Sequence, residues 1–328
     1  MRSISFNRQG YDPFIDFIKA WAIVCVLFGH TFPYLDKVGY SLWAANQVPL
    51  FILIQTFHSY KKTAPLQINI KKIISRVFIP FICCEIIVFT LSLMMGNDAE
   101  VLMSNMFHWG GYGPGSYYPC VYIQMAILLP LIYPIVKKIP SRILLLLFLI
   151  VCEGAEIICS IIDLPDWIYR LLAVRYFFLI YLALLWLKKG IILNWKMLIL
   201  SIVSLATIVY FRYYSINDEP WFYNTAWKTA RWPCYYFVAN LYVYVLYWLW
   251  KFLMKFNCAM RFIKAIAAST YEIFLVQMSF IYLFHIDHIT IVPSGFMRQF
   301  IWIAIVWIVS IGLGMIISKI TNKATLKN

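Results

Sequence analysis

Three ionisable side chains, Asp16, Lys19 and His30, lie within the first long apolar segment of the chain, FIDFIKAWAIVCVLFGHTF at residues 14–32. Lys19 and His30 are 11 positions apart. At about 100° per residue this is about 20° more than three turns, so a helix would place both on one face, about 16 Å apart along its axis. Asp16 lies three positions before Lys19, on nearly the same face. An imidazole accepts and returns protons near neutral pH, so it can act there as a general base or as a nucleophile.

The same residues also allow a purely structural interpretation. Lys19 could extend to lipid headgroups and pair with Asp16, while His30 could lie at a membrane interface. Ionisable groups within a membrane are costly, however, and they usually face an interior path. Three of them on one helix face therefore favour a functional path over three unrelated structural roles.

The elements that must position these residues follow from composition. Hydrophobic residues make up 63% of the 328 residues and charged residues only 13%, which is too little charge to cover a soluble domain of this size. Apolar runs of about 20 residues match the thickness of a bilayer. The sequence predicts an all-α, polytopic membrane helical bundle that forms a single domain over residues 1–328. About ten spans are expected, at roughly 14–33, 42–59, 77–96, 118–136, 142–162, 171–187, 193–211, 234–250, 265–285 and 299–318.

The distribution of basic residues indicates an orientation. If the N-terminus is cytoplasmic, the predicted inside segments hold 20 Lys and Arg residues and the outside segments hold 6. This positive-inside pattern predicts that both termini are cytoplasmic. It also accounts for the net charge of +14 without any nucleic-acid partner.

Two of the predicted outside loops, 97–117 and 212–233, are rich in aromatic residues, and the first is also rich in glycine. Aromatic rings beside polar groups can stack on sugar rings, although aromatic belts at membrane interfaces have the same composition. The eight cysteines contain no CxxC pair. We therefore expect neither a disulfide framework nor a metal site.

The first segment resembles the membrane acyltransferase 3 family, whose first span carries Asp-x-x-(Arg/Lys), ten residues and then His. Further segments resemble family spans in the same order: NQVPLFILIQTFHSY (46–60), KKIISRVFIPF (71–81), GPGSYYPCVYIQMAILLPLI (113–132), RLLAVRYFFLIYLALLW (170–186) and STYEIFLVQM (269–278). The chain departs from the family at Gln55, Thr56 and Phe57, and it has Gln277 where many members have a histidine. Family members are bacterial integral membrane proteins, typically O-acetyltransferases of cell-surface polysaccharides.

The resemblance implies an O-acyltransferase in the bacterial cytoplasmic membrane, with acetyl-CoA or another acyl-CoA as co-substrate and no tightly bound cofactor. The acceptor would be a hydroxyl of a polysaccharide or of a lipid-linked glycan precursor. His30 would be the general base or the acyl carrier, with Lys19 and Asp16 as catalytic partners. The basic cluster Lys71, Lys72 and Arg76 would bind the phosphates of acyl-CoA, although positive-inside topology alone also explains it.

Further polar residues could line the same cavity or form interhelical bonds. Arg175, which the family shares, would lie inside a span and would pair with a carboxylate of the preceding span, for which Glu153, Glu156 and Asp163 are candidates. The other candidates for cavity-lining or interhelical roles are Ser116, Tyr117, Gln124, Tyr271, Glu272 and Gln277. Two alternative functions remain open, namely a transporter of a lipid-linked sugar or small polar solute and a non-catalytic family member.

Overall fold

The computed structural model describes residues 12–32, 47–61, 70–191, 194–213, 237–284 and 295–325, and these residues contain helices and no strand. The all-α prediction is therefore confirmed for this part of the chain. The predicted loop at 212–233 lies almost entirely outside it. The helices are α1 Pro13–Thr31, α2 Val48–Lys61, α3 Ile70–Met94, α4 Ala99–Trp109, α5 Tyr118–Val136, α6 Ser141–Ile161, α7 Asp166–Leu171, α8 Phe178–Lys189, α9 Trp195–Tyr213, α10 Phe237–Leu253, α11 Asn257–Ala268, α12 Thr270–Leu283 and α13 Phe296–Thr325.

Four of the described helices are long and apolar enough to cross a membrane, namely α1, α3, α5 and α13. The pair α11 and α12 would make a fifth span if the two count as one, although they are bent by 70° at Ser269. This break was not expected in the predicted span 265–285. The predicted spans at 42–59 and 171–187 correspond to α2 and α8, which have only 14 and 12 residues. The structure thus describes an all-helical protein with several membrane-type helices, and the count of ten spans stays a prediction.

Helix α1 begins and ends where its sequence dictates. Asp12 is the N-cap, and its carboxylate accepts a hydrogen bond from the backbone N–H of Phe14 at 3.0 Å. Pro13 occupies the first turn, where its missing N–H costs nothing. The helix packs against α2, α10, α11, α12 and α13, so protein surrounds it on several sides.

The predicted loop 97–117 contains a helix, α4, which corrects the sequence-based expectation. Asp98 caps its N-terminus by accepting from the N–H groups of Glu100 and Val101, and Gly110 ends it in the left-handed conformation with φ +71°. These two end signals were present in the sequence. Only the segment after Gly110 is a loop, and it leads into α5.

Helix α3 contains a short π-helical segment, Ile74–Phe78, immediately before Pro80. Proline has no N–H to donate to the preceding turn, so the regular hydrogen-bond ladder is interrupted here. Such π-segments change which side chains share a face of the helix. In this case the segment carries Arg76 within one turn of Lys72.

Candidate functional site

One cavity of about 710 Å³ brings the polar residues of several helices together. Lys19 and His30 of α1 both line it, as their spacing predicts. Lys72 and Arg76 of α3 line the same cavity, and Tyr271 of α12 is a further lining residue. The cavity therefore extends from the cations Lys72 and Arg76 to the imidazole of His30, and Lys19 lines it as well.

His30 is held from the side by Gln277 of α12. The amide Nε2 of Gln277 lies 2.8 Å from Nδ1 of His30, and the Gln277 side chain is fully buried. When the amide donates, Nδ1 carries the lone pair and the ring proton is on Nε2. When the amide is turned over, its oxygen accepts from Nδ1–H and leaves Nε2 free to accept a proton. The buried amide of Gln277 thus bonds one ring nitrogen of His30, and its orientation is coupled to the tautomer of the imidazole.

The loop before α5 approaches the His30 ring closely at Gly115. A Cβ atom at this position would lie 3.4 Å from Cε1 of His30 and 3.0 Å from the ring of Phe274. Gly115 also has φ +87°, which side-chain-bearing residues rarely adopt. Glycine is therefore required here both by the backbone and by the space beside the imidazole.

The predicted basic cluster divides into two parts. Lys72 and Arg76 are exposed residues that line the cavity, so the cavity opens at this end of α3. Lys71 is also exposed, but it does not line the cavity. The cluster would therefore contribute two cations to a ligand in the cavity, because the third points elsewhere.

Asp16 and Lys19 form an ion pair at 3.5 Å across one turn of α1. Lys19 lines the cavity and Asp16 does not. A partly exposed pair of this kind contributes little to stability. Its role would be to orient the ammonium group of Lys19 toward the cavity.

Arg175 does not lie within a helical span, which corrects the prediction. It belongs to a 3₁₀ turn, Val174–Tyr176, that precedes α8, and only 2% of it is exposed. Its guanidinium donates to the hydroxyl of Tyr176 at 2.6 Å, and its central carbon lies 5.7 Å from the Tyr117 ring and 5.5 Å from the Tyr169 ring.

The three predicted carboxylate partners of Arg175 are placed differently from one another. Glu156 is buried and accepts a hydrogen bond from the hydroxyl of Tyr169, so it belongs to the Arg175 cluster through that ring. Asp163 is exposed, in a turn at positive φ. Glu153 has a buried carboxylate oxygen with no hydrogen bond to the described residues.

The remaining predicted residues separate into cavity-lining and structural groups. Glu272 lines the main cavity, as does Tyr271, whose hydroxyl also donates to the backbone oxygen of Val77 at 2.9 Å. Gln124 is structural, because its amide bonds the backbone of Leu171 and of Ala173. Tyr117 and Ser116 line a second, smaller cavity, and Tyr117 lines the main cavity as well.

Further cavity residues that were not predicted are Gln55, His58 and Ser59 of helix α2 and Gln47 directly before it. Gln55, His58 and Ser59 recur at positions i, i+3 and i+4 of an otherwise apolar helix. This spacing places them on one face and could have identified them. Arg170, in the last turn of α7, is another lining residue, and the sequence carried no comparable signal for it.

Comparison with protein-family models, curated proteins and solved structures finds no match to this chain. Among the described residues, no group of three or more His, Cys, Asp or Glu side chains is placed to hold a metal ion. The described lining of the main cavity offers the imidazoles of His30 and His58, the carboxylate of Glu272, cations, and amide and hydroxyl groups.

Proposed function

We propose that this protein is a membrane O-acyltransferase, most simply an O-acetyltransferase. It would move the acyl group of a cytoplasmic acyl-CoA to a hydroxyl of a cell-surface polysaccharide or lipid-linked glycan precursor. The observation that supports this proposal is the shared cavity of Lys19, His30, Lys72 and Arg76. An acyl-CoA carries phosphates at one end and a thioester at the other, so its site needs cations and a base that are well separated.

The donor would enter where the cavity opens, beside Lys72 and Arg76. Cationic side chains form charge-assisted hydrogen bonds with phosphate oxygens, and the guanidinium of Arg76 can make two at once. Lys19 continues the positive lining toward His30, which is about 16 Å further along α1. The thioester would then lie beside the imidazole.

His30 would act as the general base. With the Gln277 oxygen accepting from Nδ1–H, Nε2 takes the proton of the acceptor hydroxyl while the hydroxyl oxygen attacks the thioester carbonyl carbon. The carbon–sulfur bond breaks, and the CoA thiolate leaves and takes up a proton. The products are an O-acyl ester and free CoA, and the imidazole is restored. Gln277 would be a positioning residue in this scheme.

The membrane arrangement belongs to the same proposal. Ten spans with both termini in the cytoplasm would place the open, basic end of the cavity in the bacterial cytoplasm, where acyl-CoA is made. A topology reporter fused after Asn328 should report cytoplasm. A second reporter inserted after Gly96, which is exposed between α3 and α4, should report the outside. A C-terminus found outside would reverse the direction assigned to the cavity.

The proposal is tested with labelled acetyl-CoA. Membranes with the protein should transfer label to surface glycan isolated from cells that lack the gene, and mass spectrometry should find the mass of one acetyl group on the product. Membranes without the protein are the control. A transporter of sugars or solutes would leave acetyl-CoA intact, and so would a non-catalytic protein.

A further inference from the structure

A second cavity, of about 330 Å³, lies against the first. Four residues line both cavities and form a common wall: Pro114, Gly115, Tyr117 and Arg170. We infer that this second cavity binds the sugar ring that carries the acceptor hydroxyl. The inference rests on the proposed acyl transfer and adds the place and the chemical class of the acceptor.

The lining of the second cavity suits a sugar. Asn105 and Ser116 offer an amide and a hydroxyl, which can bond sugar hydroxyls, and Tyr282 offers an aromatic ring with a polar end. Arg170 is the only formally charged residue among those that line it. The volume is at the lower end for small-molecule sites, which span about 300–1,000 Å³, so one sugar ring with its substituents is the appropriate size.

Within the common wall, Gly115 lies beside the His30 ring. Gly115 has no side chain, and its Cα is close enough to His30 that even a methyl group would contact the imidazole. A hydroxyl of a sugar in the second cavity would therefore approach His30 past Gly115. This arrangement lets donor and acceptor occupy separate cavities and meet at one residue.

Two hydrogen bonds and one close backbone contact anchor the loop that forms the common wall. The buried carboxylate of Glu85 on α3 accepts from the backbone N–H of Tyr112 at 2.8 Å. The hydroxyl of Tyr112 donates to the backbone oxygen of Leu102 at 3.0 Å. Burial raises the pKa of Tyr112 to about 12, so this phenol keeps its proton and remains a donor. Gly113 packs against the backbone of Met278, where a Cβ atom would not fit. A loop fixed at these points provides a preformed site.

The test uses residues that line only the second cavity. Purified full-length Asn105→Ala and Tyr282→Leu proteins are assayed with labelled acetyl-CoA and with surface glycan isolated from cells that lack the gene. Each variant should raise the KM for the glycan by about tenfold, the value of one lost hydrogen bond or ring contact, while the KM for acetyl-CoA stays unchanged. Ser104→Ala is the matched control, because Ser104 neighbours Asn105 on the exposed side of α4.

Tyr282→Phe keeps the ring, including its packing 5.0 Å from the Tyr112 ring, and separates a local folding defect from lost binding. It should retain most of the affinity for the glycan. If the glycan KM is unchanged in Asn105→Ala and Tyr282→Leu, or if both KM values rise together, the second cavity is not the acceptor site and the proposed function stands. If the unaltered protein transfers no acetyl group, the proposed function fails and this inference fails with it.

Discussion

The first and the last helices of the described chain are both long and apolar enough to cross a membrane, but their surroundings differ. In the apolar stretch of α1, 61% of the residues are buried, whereas in that of α13 only 17% are. The more apolar helix of the two is α13, and it carries no ionisable residue between Arg298 and Lys319. The less apolar helix is the one that protein surrounds. Lys19 and His30 are tolerated in α1 because they face a protein-lined cavity, while most of the apolar stretch of α13 is not buried.

The two helices nevertheless touch. The indole N–H of Trp307 on α13 donates to the hydroxyl of Thr31 at the end of α1, at 3.1 Å. Helix α13 also packs along α12, which carries Gln277. Helix α13 therefore contacts α1 and α12 at defined positions. Substitutions at these positions and at exposed positions of α13 should differ in their effect on stability.

The largest effect on stability should come from removing a core side chain of α1. Ile23 is fully buried, so Ile23→Ala should lower the free energy of unfolding by about 2–5 kcal/mol through lost burial and a residual cavity. Ile316 of α13 is 54% exposed, and Ile316→Ala should have a much smaller effect. Thermal unfolding of both variants in the same detergent measures the difference. Equal losses would show that the two helices have equivalent surroundings.

A smaller difference in stability should distinguish alanine substitutions at two glycines of α13. A Cβ atom at Gly314 would lie 2.6 Å from Cα of Ile273 on α12, whereas a Cβ at Gly312 would meet nothing within 4 Å. Gly314→Ala should therefore destabilise the protein by about 1–3 kcal/mol, the typical cost of overpacking. Gly312→Ala should be neutral or stabilising, since alanine favours a helix interior by up to about 1 kcal/mol. A neutral Gly314→Ala would mean that α12 and α13 do not cross closely there.

The smallest of these effects concerns the open end of the cavity. Replacing Lys72 and Arg76 together by Gln should raise the KM for acetyl-CoA by about tenfold, because both cations line the cavity but are exposed and screened by solvent. Lys71→Gln should change nothing, since Lys71 lies outside the lining. Donor titrations with membranes at matched protein level provide the measurement. If the double variant and Lys71→Gln behave alike, the cluster is only a topology signal.

The sequence predicted those features that depend on local periodicity. Lys19 and His30 share a cavity because they share a helix face, and that relation needs only the residue spacing. The basic residues Lys72 and Arg76 line the same cavity, and their binding to acyl-CoA stays a prediction. The helix at α4 was missed although both of its end signals, Asp98 and Gly110, were present.

Contacts between residues that are far apart in the sequence could not be predicted from local periodicity. Gln277 reaches His30 across 247 positions, and the sequence suggested an interhelical role for Gln277 without indicating which residue it would contact. Arg175 was expected to need compensation from a carboxylate, and tyrosine rings and a tyrosine hydroxyl that the sequence did not indicate as its neighbours also contact it. Which compensation is used depends on how α7 and the 3₁₀ turn pack, and no single-sequence pattern encodes that packing.

The most direct test of the central claim is the glycan acetylation activity of His30→Gln membranes, compared with unaltered membranes at equal protein level. Glutamine keeps a hydrogen-bonding group beside Gln277, so the helix packing should be preserved. An amide neither accepts a proton near neutral pH nor carries an acyl group. If His30 is the general base, the rate of glycan acetylation should fall by about 10²–10⁴, the usual contribution of such a group. Near-normal acetylation by His30→Gln would contradict the account, because His30 would then not be the catalytic group.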